Sequence, residues 1–147
     1  MKFSTKSEYA TRAMVDLAIH HGNGPIMIKS IAQREEISER YLEQLLLPLK
    51  AAGLLRTVRG ARGGFTLARP PAQIKLSEII HVTEGSISPV ECVDDAGLCS
   101  KSVECVTREI WTELKQAMDG VLKSITLNDL AERYKQKNKT AEPMYYI

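Results

Sequence analysis

Cys92, Cys99 and Cys105 are the only cysteines in the 147-residue chain, and all three fall within residues 91–105. Three soft thiolate donors on a segment whose Gly97, Ser100 and Ser102 read as loop can converge on one soft metal ion or cluster; helices would spread them apart. The same spacing admits a disulfide with one thiol left over, or three unrelated thiols. No apolar run of signal-peptide or membrane length occurs, so the expected location is cytoplasmic. In a reducing cytoplasm an odd cysteine count argues against a disulfide framework and toward metal or redox chemistry. A cysteine nucleophile would need a positioned base, and His20, His21 and His81 show no pairing with the cysteines, so an enzyme is not expected.

The second chemical feature is basic. The net charge of +2 hides an asymmetry: residues 1–77 carry twelve Lys/Arg against six Asp/Glu, whereas residues 78–147 carry eight against twelve. No acidic residue separates Glu43 from Glu78, an interval holding Lys50, Arg56, Arg59, Arg62, Arg69 and Lys75. Such a stripe suits a polyanion.

The elements that must position these groups can be read in order. Thr5-Lys6-Ser7-Glu8 fits a capping box, with Thr5 as cap and Ala10, Ala13, Met14, Leu17 and Ala18 at helical spacing behind it. A short second helix follows with Ile28, Ile31 and Ala32 inward and Lys29 outward, Ile37 plugs the turn, and Ser38 caps a third helix that buries Leu42, Leu45, Leu46 and Leu49. Two short helices joined tightly suggest helix-turn-helix. Glu39, Arg40, Tyr41, Glu43 and Gln44 then lie at the exposed start of the third helix, where side chains reach base edges. Pro48 predicts a kink or break.

Gly53 ends that helix, and Leu54–Val58 with Phe65–Ala68 read as two strands around a tip carrying Arg59, Gly60, Arg62, Gly63 and Gly64. This is a β-hairpin wing whose arginines can approach phosphates or enter a narrow minor groove. A phosphate-binding loop is excluded, because no Lys-Ser/Thr pair follows the glycines and no helix opens there. Beyond Pro70-Pro71, Ser77 is the expected cap of a short helix ending near Gly85. After the cysteines, Val106, Ile110, Leu114, Ala117, Met118, Val121, Leu122 and Ile125 form one stripe, extended by Trp111, on a helix of some twenty residues starting near Val103. Little chain remains to cover that stripe, which predicts a homodimer. Thr126 caps a last short helix, Lys135–Lys139 reads as a frayed solvated tail, and Met144-Tyr145-Tyr146-Ile147 has no assigned role. The expected architecture is mainly α: a winged helix-turn-helix domain over residues 1–85 with a two-stranded wing, then residues 86–147 with the cysteine loop and a long dimerisation helix.

With these elements in place, the chain resembles the IscR-type iron-sulfur transcription regulators, a family that includes the nitric-oxide sensor NsrR. The resemblance is carried by Ser-x-x-Tyr-Leu-Glu-Gln-Leu at Ser38 to Leu45, Val-Arg-Gly-x-x-Gly-Gly at Val58 to Gly64, and the three cysteines. It implies a dimeric DNA-binding regulator, a repressor of iron-sulfur assembly genes, gated by a cluster on Cys92, Cys99 and Cys105. A [2Fe-2S] form is favoured over [4Fe-4S], and the assembly machinery would be its donor. The implied DNA contacts are Ser38, Arg40, Tyr41, Glu43 and Gln44 in the major groove and Arg59, Gly60 and Arg62 in the wing, with Lys29 and Tyr9 beside them.

Two departures from the family pattern stand out. The first gap between cysteines holds six residues where the family has five, and Arg108 stands where the family has a histidine ligand. Arginine stays protonated and is a poor ligand. The resemblance therefore directs attention to Glu8 of a partner subunit, with Glu104, Glu109, His81 or water as alternatives; capping with Thr5 is the competing role for Glu8. Rival readings are a zinc or thiol-redox switch on the same loop, or a cofactor-free regulator whose partner protein senses.

Overall fold

The structure, a computed structural model, describes residues 2–141. In chain order it contains α1 (Thr5–Ile19), α2 (Ile28–Glu35), α3 (Glu39–Ala51), β1 (Leu55–Val58), β2 (Gly64–Leu67), a 3-10 turn at Pro71–Gln73, α4 (Leu76–Glu84), α5 (Glu91–Asp94), a 3-10 turn at Ala96–Leu98, α6 (Val106–Ser124) and α7 (Leu127–Ala141). The fold is mainly helical with one antiparallel two-stranded sheet, the winged-helix architecture expected. Met144-Tyr145-Tyr146-Ile147 lies outside the described residues. Among the described residues no helix is long and apolar enough to cross a membrane.

One core explains the helix order. Ala10, Ala13, Met14 and Leu17 of α1, Ile31 of α2, Leu42, Leu45, Leu46 and Leu49 of α3, Leu55 of β1, Ile79 of α4 and Leu127 of α7 are buried together. Each large aliphatic side chain removed from water there contributes about 1.5–3 kcal/mol. Ser38 caps α3, its Oγ accepting from the Tyr41 amide at 3.1 Å. Gly53, at φ +81, closes the helix: its own N–H reaches the Lys50 carbonyl and that of Leu54 reaches Leu49, each at 3.0 Å.

Several expectations are corrected. α3 runs through Pro48 to Ala51 without a break; Pro48 and Gln44 are both exposed, so water can take the Gln44 carbonyl that the missing N–H would have bonded. The cap of α1 is Ser4, not Thr5, and Glu8 does not close a box with it. Instead Glu84, from the end of α4, accepts the Ser4 amide at 2.5 Å. The cap position of α4 is Lys75 rather than Ser77, with the Glu78 carboxylate accepting the Lys75 amide at 2.8 Å. Thr126 does cap α7, its Oγ1 accepting the Asp129 amide while Asp129 accepts the Thr126 amide. That helix is not short, however, and continues through Lys135–Lys139 to Ala141. Packing of Leu127 and Ala131 into the core with α1 anchors its first turns.

Candidate nucleic-acid interface and cysteine segment

The reading head is assembled by aromatic and ionic contacts among the first three helices. Tyr9 of α1 meets Tyr41 of α3 edge-to-face at 6.1 Å, Arg12 lies 5.2 Å from the centre of the Tyr9 ring, and Arg12 Nε pairs with Glu35 of α2 at 2.9 Å. Behind them Asp16, buried on α1, accepts both Arg34 Nε of α2 and His20 Nδ1. α2 is thus bolted to α1, and α3 is seated on both. Ser38, Arg40, Glu43 and Gln44 are exposed at the start of α3, Lys29 is exposed on α2, and Tyr9 and Tyr41 are half-buried. Capping uses a lone pair of the Ser38 hydroxyl and leaves its proton free to donate.

The wing is fixed by backbone contacts that leave no room for side chains. Phe65 exchanges both backbone hydrogen bonds with Ile26, at 2.8 and 2.9 Å, so the segment before α2 adds a third strand-like partner to the hairpin. A Cβ on Gly64 would sit 2.2 Å from the Ile26 carbonyl, and one on Gly63 2.0 Å from the Val58 carbonyl. Gly60, at φ +112, turns the tip. Arg59 and Arg62 are exposed there, and among the described residues neither they nor Arg40 or Lys29 form an ion pair. The stripe is shorter than its sequence suggests. Arg69 is neutralised by Glu78 at 2.6 Å, so it does not belong to the free basic surface.

The cysteines sit on a different kind of structure. Cys92 is on the single turn α5, Cys99 follows a 3-10 turn, and Cys105 is the residue before α6. All three are free; Cys99 is exposed and the others are half-buried. Ser102 holds the middle together, its buried Oγ lying 2.5 Å from the Ala96 carbonyl and 2.9 Å from that of Cys99. Ser86 and Ser88 both donate to Asp94, the latter at 2.5 Å, and Arg108 Nε donates to the Cys92 carbonyl at 3.0 Å. Arg108, in the position of the family's histidine, therefore acts as a backbone clamp. Hydrogen bonds from the Thr107 hydroxyl and the Arg108 amide at the start of α6 hold the Cys105 thiol below the usual thiol range.

The donor chemistry suits a soft iron centre. Even so, no three His, Cys, Asp or Glu side chains gather to hold one metal ion among the described residues. Glu8 is exposed in the first turn of α1 and, with Glu84 in the capping place, its carboxylate has no hydrogen-bond or ion-pair partner among the described residues. His81, Glu104 and Glu109 are exposed.

Along α6, Val106, Ile110, Trp111, Leu114 and Val121 stay 37–71% exposed. Leu122 is the exception, buried on the side that packs against α4. Phe3 joins Ala117, Met118 and Val121 around an apolar depression of about 300 Å³. Sequence periodicity identified the stripe but not Phe3, which lies more than a hundred positions away and carries no local signal.

Comparison with known proteins bears on these features together. The Rrf2 family model, described as an iron-dependent transcriptional regulator, matches residues 3–133. The chain is 46% identical to the HTH-type transcriptional regulator CymR of Bacillus subtilis over 147 residues, the full length of both. The solved structure of that protein superposes with a TM-score of 0.78 at 45% identity, over 90% of this chain and 98% of the other. T. potens IscR superposes with a TM-score of 0.76 at 42% identity, over 99% and 95%. Likeness to IscR is thus a family-level match, shared with CymR at slightly higher identity. Relatives named as transcriptional regulators also support the reading of a non-enzyme.

Proposed function

The chain belongs to the Rrf2 family of DNA-binding transcriptional regulators, and on that premise we propose that it is a dimeric repressor of iron-sulfur assembly genes, gated by an iron-sulfur centre on Cys92, Cys99 and Cys105. The observation that carries this reading is the placement of three free thiols between the last helix of the reading head and the uncovered α6. When bound, such a centre supplies a group whose stability responds to iron, oxygen and nitric oxide. The chain's own residues do the rest. Exposed Arg59 and Arg62 supply phosphate and groove contacts, while Arg40 and Gln44 offer bidentate donors and acceptors to base edges. Glu43 repels phosphates at wrong sites or accepts from cytosine, which makes it a selector. A second copy covering the stripe of α6 sets the spacing between two recognition helices.

A second reading is favoured by the identity to the B. subtilis protein, described as a global cysteine regulator, and by the acidified Cys105 thiol. In it the same segment is a thiol switch in a regulator of cysteine genes. Anaerobic purification separates the two. Iron and acid-labile sulfide with a visible chromophore, lost in a Cys92→Ala, Cys99→Ala, Cys105→Ala variant, are expected for the cluster reading. Colourless protein without iron, whose operator affinity still follows thiol oxidation, would replace it with the thiol switch.

A further inference from the structure

The end of α4 and the start of α1 are joined by a small polar cluster that neither the core nor the DNA surface requires. Ser7 is 1% exposed, and its Oγ lies 2.7 Å from both Thr83 Oγ1 and Glu84 Oε1. The same Glu84 oxygen accepts the Ser4 amide. Helices usually find the acid for their first turn within that turn; α1 instead takes it from a residue 80 positions away, although Glu8 is at hand. Glu84 is also the last residue of α4. Gly85, at φ +72, breaks the helix directly after it, and Ser86 and Ser88 then reach Asp94 on the turn that carries Cys92, whose carbonyl is clamped by Arg108 of α6. A short continuous path of hydrogen bonds and covalent backbone therefore runs from the first turn of α1 to the cysteine segment and on to α6.

We propose that Glu84 is a positioning residue: by capping α1 from α4 with Ser4 and Ser7, it holds the cysteine segment in fixed relation to the reading head, so that rearrangement of the segment is passed to α1. α1 carries Tyr9, Arg12 and Asp16, which seat α3 and α2, so a shift of its first turn reaches the recognition helix. The device rests on the proposed gating at the cysteines, but its structural half does not depend on which chemistry occurs there.

The test uses full-length protein with Glu84→Gln, which keeps the shape and removes the charge, and Ser7→Ala. Hydrogen exchange at the amides is measured first, without regard to metal content. Exchange should rise at least about threefold both at residues 4–8 and at residues 86–95, with α3 unchanged. Loss of protection confined to residues 4–8 would make Glu84 a local cap and overturn the proposal. Operator affinity is then compared between the two states of the cysteine segment, as purified anaerobically and after stripping by chelator. In both variants the ratio between states should fall toward one, while the state that binds less tightly keeps its affinity within about twofold. An unchanged ratio would also overturn it. If wild type itself shows no ratio, the gating reading has failed, and the exchange experiment alone decides the role of Glu84.

Discussion

The winged unit and the cysteine segment are built on opposite terms. From α1 to α4 the chain buries contiguous aliphatic side chains, caps its helices and fixes its wing by backbone contacts; between Ser86 and Ser124 only Ser102 and Leu122 are buried. The first region covers most of its apolar side chains with its own chain, whereas the second leaves Cys99, its turns and most of the apolar face of its longest helix exposed. Under the proposed gating, a reader of fixed shape beside a loosely packed cysteine segment is the division of labour by which a local event at the cysteines would change DNA affinity without unfolding the head.

The sharpest way to break this contrast is by volume. Leu46→Ala, at a fully buried position, should lower folding stability by about 2–5 kcal/mol, whereas Val103→Ala, 92% exposed in the cysteine segment, should change it by less than about 0.5 kcal/mol. Denaturant titrations of the two variants check both. A comparable loss at Val103 would show that the segment is packed in the working molecule.

Function should divide in the same way. Arg59→Ala is expected to weaken operator binding by about 1–3 kcal/mol and to reduce the slope of log K against log salt by about one. Glu43→Ala should instead relax discrimination between sites. Equal, small losses in both would undo the assignment of wing and recognition helix. On α6, Ile110→Asp should shift the solution mass toward monomer, and a mass like wild type would show that the exposed stripe is not the subunit contact.

The smallest effect concerns pH. Hydrogen bonds from the Ser4 and Ser7 side chains and the Ser4 amide hold the Glu84 carboxyl below its ordinary range. A carboxylate depressed in the folded state stabilises it fully above the ordinary carboxylate pKa, and this contribution is lost as pH falls through the depressed value. Acid titration of stability should therefore be slightly shallower in Glu84→Gln than in wild type; identical profiles would show that the cap contributes nothing measurable.

What was legible in the sequence follows the same boundary. Ser38, Gly53 and Gly63 announce themselves because their partners lie within a turn or across the hairpin, and the leucines of α3 because their helical spacing repeats. Three of the misreadings share one cause, a partner outside the turn in which the local pattern was read. Thr5 looked like the cap of α1 because Glu8 is three residues on, but the acid that serves is Glu84. Arg69 looked like part of the DNA stripe until folding brought it against Glu78. The Lys135–Lys139 run looked like tail because its own composition is solvated, while the helix containing it is seeded by Leu127 and Ala131 in the core. At the cysteines the sequence shows donor type and order, and the structure adds their placement on one helical turn, after a 3-10 turn and before α6.

The proposed function requires a preformed reader governed by that segment. The most direct measurement is operator titration, across a salt series, of anaerobically purified wild type before and after stripping, beside the triple variant with alanine at Cys92, Cys99 and Cys105. The expected result is that wild type changes affinity between its two states, while the triple variant binds in a single state that stripping does not alter and keeps the wild-type salt slope, since the arginines that meet phosphate are untouched. A triple variant that matched wild type in affinity and site preference under both conditions would contradict it.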